Sequence, residues 1–597
     1  MDIELQIKQA VILAIREFYN HEANEKSIQI QETRKDFEGD FTLVVFPFLK
    51  ISKKPLEATA NELGDYLQKN ITNVVDFNVI KGFLNLSISK TYWLDFLNKN
   101  YGKENYGIVA ENKNPEKVMV EFSSPNTNKP LHLGHIRNIL LGDSVSRILA
   151  ANGKKVYKVN LVNDRGIHIC KSMLAWQKWG NGNTPKNTGE KGDKLVGDYY
   201  IRFDREYKKQ VEELVASGTD EKLAKDKAPL LIEAREMLLK WEAGDEGIRQ
   251  LWSTMNGWVY AGFDVSYKKM GITFDKIYYE SDTYKLGKKL VLDGLEKSAL
   301  IKKDDGSVWA DLSKQGLDEK ILLRADGTSV YMTQDVGTAH QRFSEFDIDK
   351  HIYVVGNEQN YHFQVLKLVL KKLGFEWAEA IYHLSYGMVE LPSGKMKSRE
   401  GTVVDADDLV DEMLHAAREI SKEQGKLENF SEVEVEKILE TISLGALKFF
   451  ILKVDPKKSM TFIPEDSIDF NGNTGPFVQY SYARIQSVFR KANEKNVVIP
   501  KKLSPDCEFN TKELQLLKTN YAFGDIVKEA GENLSPALIA NYVYELAREY
   551  NQFYHELPIL VEEKKDKREL RLFLSEMTGR TIKSAMRLLG IDVPPAM

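Results

Sequence analysis

The chain has 597 residues and a mass of 68.3 kDa, too long for one hydrophobic core, so about three to five domains are expected. Its composition, with 42% hydrophobic and 29% charged residues, is typical of a soluble protein, and a net charge of −5 neither indicates nor excludes a nucleic-acid partner. The sequence shows no signal peptide, long apolar run or cysteine cluster, which predicts a cytoplasmic protein without a membrane span, a disulfide framework or a metal site.

The N-terminal region, 1–112, is expected to form an α+β domain. An apolar stripe at helical spacing precedes two segments that are typical of strands, 41–46 and 83–88. A polar linker that contains a proline, 111–116, then predicts a domain boundary.

The most informative segment places two histidines between a strand and a helix. Residues 118–122 are an apolar run typical of a buried strand, and the residues that follow are rich in proline and asparagine and break regular structure. Apolar residues recur at helical spacing from His135 onward. The motif His132-Leu-Gly-His135, called the HxGH motif below, therefore begins a helix just after the carboxyl end of a strand.

Such a junction is where open α/β sheets bind nucleotides. A helix N-terminus attracts phosphate through its unpaired N–H groups and its dipole, and the two imidazoles add further donors. Gly134 leaves space for a base or a ribose against the backbone. On spacing alone, however, a pair of histidines on the surface is an equally good interpretation.

The remaining elements predict how the chain is divided. A strand at 156–162 completes a β-α-β unit, and the segment 352–356 is expected to return to the same sheet. Residues from about 180 to 300 are rich in charge and are interpreted as a largely helical insertion. The predicted regions are an α/β domain at 113–400, a helical connecting region at 401–470 and an all-helical domain at 471–597.

A second candidate element is the lid segment, 394–401, which glycines bound at both ends. Its cations Lys395, Lys397 and Arg399 fall within five residues. One interpretation is a solvated basic turn, the usual role of such a charge run. The other is a mobile lid whose cations reach the β- and γ-phosphates of a triphosphate and stabilise the departing pyrophosphate.

The HxGH motif and the lid segment, in this order and about 260 residues apart, resemble the two signature motifs of class I aminoacyl-tRNA synthetases. The segments 121–129, 160–166 and 331–335 narrow the resemblance to the arginyl-tRNA synthetase family, and the resemblance spans the whole chain. It implies a multidomain α/β fold. The expected parts are a Rossmann-like class I catalytic core with a helical insertion, an N-terminal α+β added domain that contacts tRNA, and a C-terminal all-α anticodon-binding domain.

The residues themselves are compatible with arginine as substrate. A guanidinium is planar and permanently charged, so its site requires carboxylates placed for bidentate pairing. Tyr331 and Asp335 are four residues apart and share one face if the segment is helical, although a core tyrosine and a surface aspartate would be the commoner case. The resemblance implies that arginine contacts Tyr331 and Asp335 at its guanidinium, Asn126 at its backbone, and also Gln359, Asp164 and Glu121.

The resemblance also implies which residues bind ATP. His132 and His135 are assigned to the phosphates and Gly134 to the adenosine. Gly387 and Met388, just before the lid segment, are assigned to the adenine edge, and a plain core strand is an equally good interpretation of these two. Mg²⁺ is expected to accompany ATP rather than to occupy a protein cage.

The sequence departs from the family pattern at two places, the lid segment and the residues after Asp164. With Lys395 aligned to the first lysine of the familiar lid motif, Ser398 stands where the second lysine is expected. Lys397, Arg399 or Lys129 can supply that charge, and the alternative for Lys129 is a solvated loop lysine. In addition, Arg165-Gly-Ile-His168 replaces the family's usual tryptophan-containing sequence after Asp164.

The C-terminal segment interleaves aromatic and basic residues, and Tyr482, Arg484, Phe553 and Tyr554 are candidate tRNA contacts. Residues 471–597 contain 18 lysines and arginines against 16 aspartates and glutamates, a shift too slight to decide the matter. Aromatic residues at helical spacing are more often core residues, but the resemblance to the anticodon-binding domain favours tRNA contact.

The sequence therefore predicts a monomeric enzyme that ligates L-arginine to its tRNA through an arginyl-adenylate made from ATP. The resemblance further implies that activation requires bound tRNA. Two alternatives stay open: a nucleotidyltransferase that uses the HxGH motif on a small molecule, and a non-catalytic RNA-binding paralogue of a synthetase. The long aromatic tail argues against the first, and the presence of both histidines and the lid segment argues against the second.

Overall fold

The first hundred residues contain a four-stranded antiparallel sheet. The computed structural model describes residues 3–34, 36–392, 404–424, 430–470 and 472–597. The elements of this region are strands β1 (Ile30–Glu32), β2 (Phe41–Val44), β3 (Val74–Ile80) and β4 (Phe83–Ile88) and helices α1 (Ile3–Tyr19), α2 (Leu49–Ser52), α3 (Leu56–Asn70) and α4 (Lys90–Asn100). The strand order is β1-β2-β4-β3, so the predicted mixture of helix and strand is confirmed here.

Half of the remaining strands belong to one parallel sheet. The strands in chain order are β5 (Lys117–Glu121), β6 (Lys155–Val162), β7 (Lys276–Tyr279), β8 (Ile301–Lys302), β9 (Val308–Ala310), β10 (Lys320–Leu323), β11 (Lys350–Gly356), β12 (Ile381–Tyr386), β13 (Val389–Glu390) and β14 (Met460–Thr461). Five of them pair in parallel in the order β12-β11-β5-β6-β7. Strands β8 to β10 form a small antiparallel sheet, and β13 pairs with β14.

Helices make up most of the rest of the described chain. They are α5 (Leu133–Ala151), α6 (Ile167–Trp179), α7 (Pro185–Thr188), α8 (Gly192–Ala216), α9 (Glu221–Lys227), α10 (Pro229–Ala243), α11 (Glu246–Met270), α12 (Glu280–Thr283), α13 (Leu286–Glu296), α14 (Tyr331–Phe346), α15 (Asn360–Lys372), α16 (Ala406–Gln424), α17 (Glu432–Leu452), α18 (Pro464–Ser467), α19 (Gly475–Glu494), α20 (Thr511–Tyr521), α21 (Phe523–Asn533), α22 (Pro536–Glu556) and α23 (Lys565–Leu588). In the described residues, no helix is long and apolar enough to cross a membrane.

The strand order creates a switch point at β5. From β5 the chain proceeds through α5 to β6 and then to β7 on one side, and later adds β11 and β12 on the other side. In open parallel sheets, ligands bind at the carboxyl edge where the order reverses. The predicted β-α-β unit and the return of 352–356 to the sheet are both confirmed.

Burial explains why α5 lies against the middle of the sheet. Its residues are apolar or buried on almost every side, as expected of a helix enclosed by other elements. On the sheet, Met119, Val159 and Tyr353 join a core that continues into α14 and α15. The chain enters α5 directly from the loop after β5, so this packing places the HxGH motif at the switch point.

One strand differs from the prediction. The range 180–300, interpreted as a largely helical insertion, contains α8 to α11 but also β7, the fifth strand of the sheet. Only four residues pair in β7, and such a short apolar run has too little periodicity to separate it from the helical segments around it.

The chain forms two compact units. The first consists of residues 1–104, 488–521 and 549–580, and the second of residues 105–487, 522–548 and 581–597. Within the first unit, Trp93 packs edge-on against Tyr521 with 5.5 Å between ring centroids, and Tyr101 stacks on Phe573 at 3.8 Å. Each unit combines three separate segments of the chain, so these units do not test domain boundaries drawn in chain order. The boundaries predicted at 112/113, 400/401 and 470/471 stay predictions.

Candidate active site

The HxGH motif forms the N-terminus of α5, and backbone amides orient both rings. His132 is the N-cap residue, and its Nδ1 accepts a hydrogen bond of 3.1 Å from the Gly134 amide. The His132 amide in turn donates to His135 Nδ1, also at 3.1 Å. Because both Nδ1 atoms accept, each neutral ring carries its proton on Nε2. The motif therefore has two pre-oriented Nε2–H donors at a helix N-terminus.

Burial keeps these imidazoles neutral. It lowers the pKa of His132 to about 3, with Lys129 as a smaller cause. It also lowers the pKa of His135 well below its usual value, with His132 and Lys129 adding to the effect. The Lys129 ammonium lies 3.4 Å from His132 Nε2, and burial lowers the pKa of this lysine. The site therefore combines two neutral donors with one cation, a set suited to phosphate oxygens.

Gly134 is required by its own motif. A Cβ at this position would lie 3.0 Å from His132 Cε1, tighter than almost all real Cβ contacts. The glycine thus permits the His132 ring to fold back over the helix N-terminus, a steric role beyond the predicted space for adenosine.

A buried arginine, which the sequence did not single out, fastens the segment that leads to the lid. Arg137 is fully buried on α5 and donates to the carbonyl oxygens of Met388 at 3.3 Å, Pro456 at 3.4 Å and Lys458 at 2.6 Å. Burial lowers its pKa to about 10. Its signal in the sequence was a charged residue between the apolar residues Ile136 and Ile139, shortly after the HxGH motif.

Gly387 also has a steric reason to be glycine. Its amide donates to the Pro456 carbonyl at 2.9 Å, and a Cβ would lie 2.4 Å from the Ser459 amide nitrogen. With Met388, it follows β12 at the carboxyl edge of the sheet. The lid residues Lys395, Lys397 and Arg399 lie outside the described residues.

The described chain resumes beside the HxGH motif after the lid segment. The Leu133 amide donates to the Val404 carbonyl at 3.3 Å, and the Ala406 amide donates to the Leu131 carbonyl at 2.9 Å. Asp405, between them, forms an antiparallel bridge with His132. The residues that follow the lid segment, 404–406, are therefore anchored to the loop that carries the HxGH motif.

Two further carboxylates, Asp335 and Glu280, lie on the other side of this edge. Asp335 on α14 accepts a hydrogen bond at 2.6 Å from His362 Nε2, which lies on α15. Glu280 directly follows β7, and its pKa is raised to about 6, first by burial and further by the charges of Asp164 and Asp335. Glu280 is a buried acid that the sequence analysis missed, because it follows the strand that was not recognised.

Two of the predicted arginine contacts are instead satisfied within the chain. Glu121 ends β5 fully buried, and its carboxylate pairs with Arg342 Nη2 at 2.8 Å. Asp164 accepts hydrogen bonds of 2.8 Å from the Ser281 amide and 2.8 Å from the Tyr260 hydroxyl. These carboxylates already have partners inside the chain, and the direct arginine contacts predicted for Glu121 and Asp164 stay predictions.

The other predicted arginine contacts are accessible. Tyr331, the first residue of α14, is 79% exposed, and Asp335 lies one turn further along the same helix. Gln359 is exposed in the 3-10 turn that follows β11. Asn126 is exposed after β5, and its backbone forms a bridge with Asn163. Asn126 and Gln359 follow parallel strands, and Tyr331 is on the same helix as Asp335. These side chains therefore lie at the carboxyl edge of the parallel sheet.

The residues that depart from the family pattern have partners of their own. The Arg165 guanidinium lies 4.0 Å from the ring centroid of Tyr284 and donates to Glu242 at 2.7 Å. His168 Nδ1 lies 3.1 Å from the Tyr200 hydroxyl. An arginine stacked between aromatic rings thus occupies the place where the family has tryptophan.

Burial corrects part of the predicted tRNA surface. Phe553 is 1% exposed and packs on Tyr550, and Tyr482 is also buried, so neither ring offers a face to an RNA base. The prediction of stacking by these two residues is wrong, because they belong to the helical core. Arg484 lies over the Tyr480 ring at 4.9 Å, and Tyr554 is half-buried.

The sequence relatives of the chain agree over its whole length. Residues 100–462 match the family model for the catalytic domain of class I tRNA synthetases (R), and residues 478–597 match the DALR anticodon binding domain. Arginine–tRNA ligases from Bacteroides thetaiotaomicron and Bacteroides fragilis are each 58% identical, with all of both chains covered. The solved arginyl-tRNA synthetase of Thermus thermophilus has a TM-score of 0.79 at 25% identity and covers 99% of this chain and 100% of its own.

The parallel sheet with its HxGH junction and the matched catalytic domain define a class I aminoacyl-tRNA synthetase. Its full-length relatives are arginine–tRNA ligases at well over half identity. The chain belongs to the arginine–tRNA ligase family, and its activity is the ATP-dependent ligation of arginine to tRNA. The alternatives of a nucleotidyltransferase and of a non-catalytic paralogue are not favoured by these relatives.

Proposed function

We propose that the carboxyl edge of the sheet has a phosphate side at the HxGH motif and a guanidinium side at Asp335. One observation carries this proposal. Asp335 near the start of α14 and the buried Glu280, which directly follows β7, supply acidic groups at the same sheet edge as the neutral donors of His132 and His135. Opposite charge requirements are thus met by two clusters at one edge, as a reaction between a cationic amino acid and ATP demands.

On the guanidinium side, Asp335 and Glu280 are the proposed acceptors for the five donors of arginine. Tyr331, one turn before Asp335, and the exposed amides Gln359 and Asn126 are the remaining proposed contacts. The proposed roles of Glu121 and Asp164 are to support the sheet edge from within. Their internal hydrogen bonds and ion pair support this assignment.

On the phosphate side, the proposed groups are His132, His135 and Lys129, with Lys395, Lys397 and Arg399 of the lid segment. The pre-oriented Nε2–H donors and the adjacent ammonium support the first three. Gly134, Gly387 and Met388 are proposed to border the adenosine.

The proposed first step needs no general base. The ionised carboxylate of arginine attacks the α-phosphorus of ATP, the bond to the bridging oxygen breaks, and pyrophosphate leaves. Donors aimed at the phosphates stabilise the charge that builds during this displacement. In the second step, a hydroxyl of the terminal ribose of tRNA attacks the arginyl carbonyl, and AMP leaves.

The proposal extends to the partners of the reaction. Among the described residues, no group of three or more His, Cys, Asp or Glu side chains is placed to hold a metal ion, so Mg²⁺ is proposed to enter with ATP. Arg484 and Tyr554 remain proposed tRNA contacts, and residues 1–112 a proposed tRNA-contacting domain. A cytoplasmic monomer is proposed as the working form.

The test of the guanidinium side is Asp335→Asn. Removing this charge leaves a bound guanidinium partly unpaired, so arginine affinity should fall by about 3 kcal/mol, roughly a hundredfold in the Michaelis constant for arginine. The measurement is tRNA charging with varied arginine, followed by binding calorimetry. A matched control is Asp347→Asn, just beyond the same helix, where the side chain is 94% exposed.

The control should behave like the native enzyme. If Asp335→Asn leaves the Michaelis constant for arginine unchanged, Asp335 does not hold the guanidinium and the proposed division of the site is incorrect.

A further inference from the structure

His362 already contacts the carboxylate that the guanidinium is proposed to use. Its Nε2 lies 2.6 Å from Asp335 Oδ2, and both side chains are about one-third exposed. His362 is near the start of α15, just after the 3-10 turn that contains Gln359. The contact therefore joins the two elements that border the arginine pocket.

The other titratable groups near Asp335 in the described chain are neutral or acidic, so His362 is the cationic group that faces Asp335. From β12, His383 Nε2 lies 3.0 Å from the Val355 carbonyl, and burial lowers the pKa of His383, which keeps it neutral. From α12, Glu280 adds a second acid beside Asp335. In the described residues, no lysine or arginine forms an ion pair with Asp335. The hydrogen bond to Asp335 is the main cause that raises the pKa of His362.

A bidentate guanidinium contact needs both oxygens of a carboxylate. His362 occupies the Oδ2 atom, so arginine must share this atom with a second cation or displace the ring. Two cations on one carboxylate repel each other, and the repulsion is relieved when the imidazole loses its proton, since a guanidinium cannot lose one.

We propose that His362 is a positioning residue that holds Asp335 for arginine and gives up a proton when the guanidinium binds. A proton on His362 and arginine on Asp335 thus compete. The inference rests on the proposed role of Asp335, and it also concerns substrate specificity. A neutral analogue such as citrulline breaks the contact between His362 and Asp335 without bringing a new positive charge to Asp335. The enzyme therefore rejects citrulline more strongly than it would without His362.

The direction of the pH effect follows from linkage. Arginine binding favours neutral His362, so arginine affinity rises as pH rises through the pKa of this histidine. Glu280 acts in the same direction, because its carboxyl must ionise to accept a guanidinium. The two contributions are separated by replacing only the histidine.

The experiment uses the full-length enzyme and L-arginine in titration calorimetry. Titrations between pH 6 and 8, in buffers of different ionisation enthalpy, give the number of protons released. The native protein should release protons, and arginine affinity should rise over this range about tenfold more than in His362→Gln. The glutamine keeps a neutral donor for Asp335, and His362→Asn serves as a second variant if His362→Gln is unstable. The control is His383→Gln, which should release as many protons as the native protein.

The outcomes separate this inference from the proposed site. If Asp335→Asn binds arginine as tightly as the native protein, the proposed pocket fails. If Asp335→Asn binds weakly but His362→Gln releases as many protons as the native protein, only the role of His362 is overturned. A lower preference for arginine over citrulline in His362→Gln, with reduced proton release, supports the inference.

Discussion

At the scale of single residues, His132 and His135 of the HxGH motif are neutral and each presents an Nε2–H donor. Each Nδ1 is fixed by a backbone amide, and the low pKa of His132, about 3, keeps its ring uncharged at neutral pH. We expect a neutral donor with a fixed orientation to stabilise the charge that develops on the phosphate in the transition state more than it stabilises the bound substrate. Positive charge is supplied separately, by Lys129 and by the lid segment.

His135→Ala removes one such donor. We expect turnover to fall by about a hundredfold or more while arginine affinity stays close to native, because the lost contact strengthens in the transition state. The measurement is ATP–pyrophosphate exchange with tRNA present, together with calorimetry of arginine binding. His340→Ala, on α14 and packed on Phe375, is a suitable control. A variant that loses arginine affinity instead of turnover would contradict the proposed role.

At the scale of elements, α5 connects the two halves of the nucleotide site. Its first turn carries the HxGH motif. Arg137, the residue after the first turn, donates to the Met388 carbonyl in the segment before the lid and to the Pro456 and Lys458 carbonyls in the loop that contacts this segment. A single helix therefore sets the position of Met388 relative to the histidines. All three partners are backbone carbonyl groups, which is why the contact depends on Arg137 rather than on the side chains around it.

Replacing Arg137 tests this connection. Arg137→Ala removes the donor to the Lys458 carbonyl and one of the two donors to each of the Met388 and Pro456 carbonyls, so we expect a stability loss of roughly 2 kcal/mol and a higher Michaelis constant for ATP. Arg137→Lys keeps one donor group and should recover part of both losses. Thermal melting and steady-state charging with varied ATP measure the two effects. Arg147→Ala, on the same helix and paired with Asp143, is the control. An unchanged Michaelis constant for ATP in Arg137→Ala would show that the helix does not position this segment.

At the scale of the whole molecule, the large size of the chain serves a small-molecule site and a tRNA substrate together. Residues 478–597 match the DALR anticodon binding domain, and the match to the catalytic domain at 100–462 contains the HxGH motif and Asp335. Binding of tRNA is expected to complete the site before activation proceeds, since closure steps of this kind commonly commit a substrate.

A tRNA requirement is directly measurable. ATP–pyrophosphate exchange with arginine should stay near background until tRNA is added and then rise with tRNA concentration. Periodate-oxidised tRNA, which cannot be charged, separates activation from transfer and should also restore exchange. Strong exchange in the absence of any tRNA would contradict the expectation.

Stability should also depend on buried histidines. His351 is fully buried, and burial lowers its pKa to about 4. Between its ordinary pKa of about 6.5 and this value, the unfolded chain binds a proton that the folded chain does not. Stability is therefore lost as pH falls through this window, by up to about 1.4 kcal/mol per pH unit for each such histidine.

His351→Asn removes this contribution. The melting temperature of the native protein should fall between pH 7 and pH 5, and the variant should show a smaller fall from its own starting value. His132 and His135 contribute in the same direction, so a residual fall is expected in the variant. An identical pH dependence in both proteins would rule out this role for His351.

Local pattern was sufficient for several conclusions. The strand at 118–122, the HxGH motif and the helix after it follow from residue types within about twenty positions, because periodicity and turn chemistry act between near neighbours. The order of motifs then identified the family. Strand β7 and Glu280 were missed because four residues carry almost no periodic signal.

Short motifs and their order along the chain were enough to identify the family, its reaction and the position of the helix that begins at the HxGH motif. The partners of the charged and aromatic residues became known from the folded chain alone. It pairs Glu121 with Arg342 and His362 with Asp335, and it buries Glu280 and Phe553. These outcomes depend on contacts between residues far apart in the chain, and burial is a property of the packed whole that no local pattern specifies.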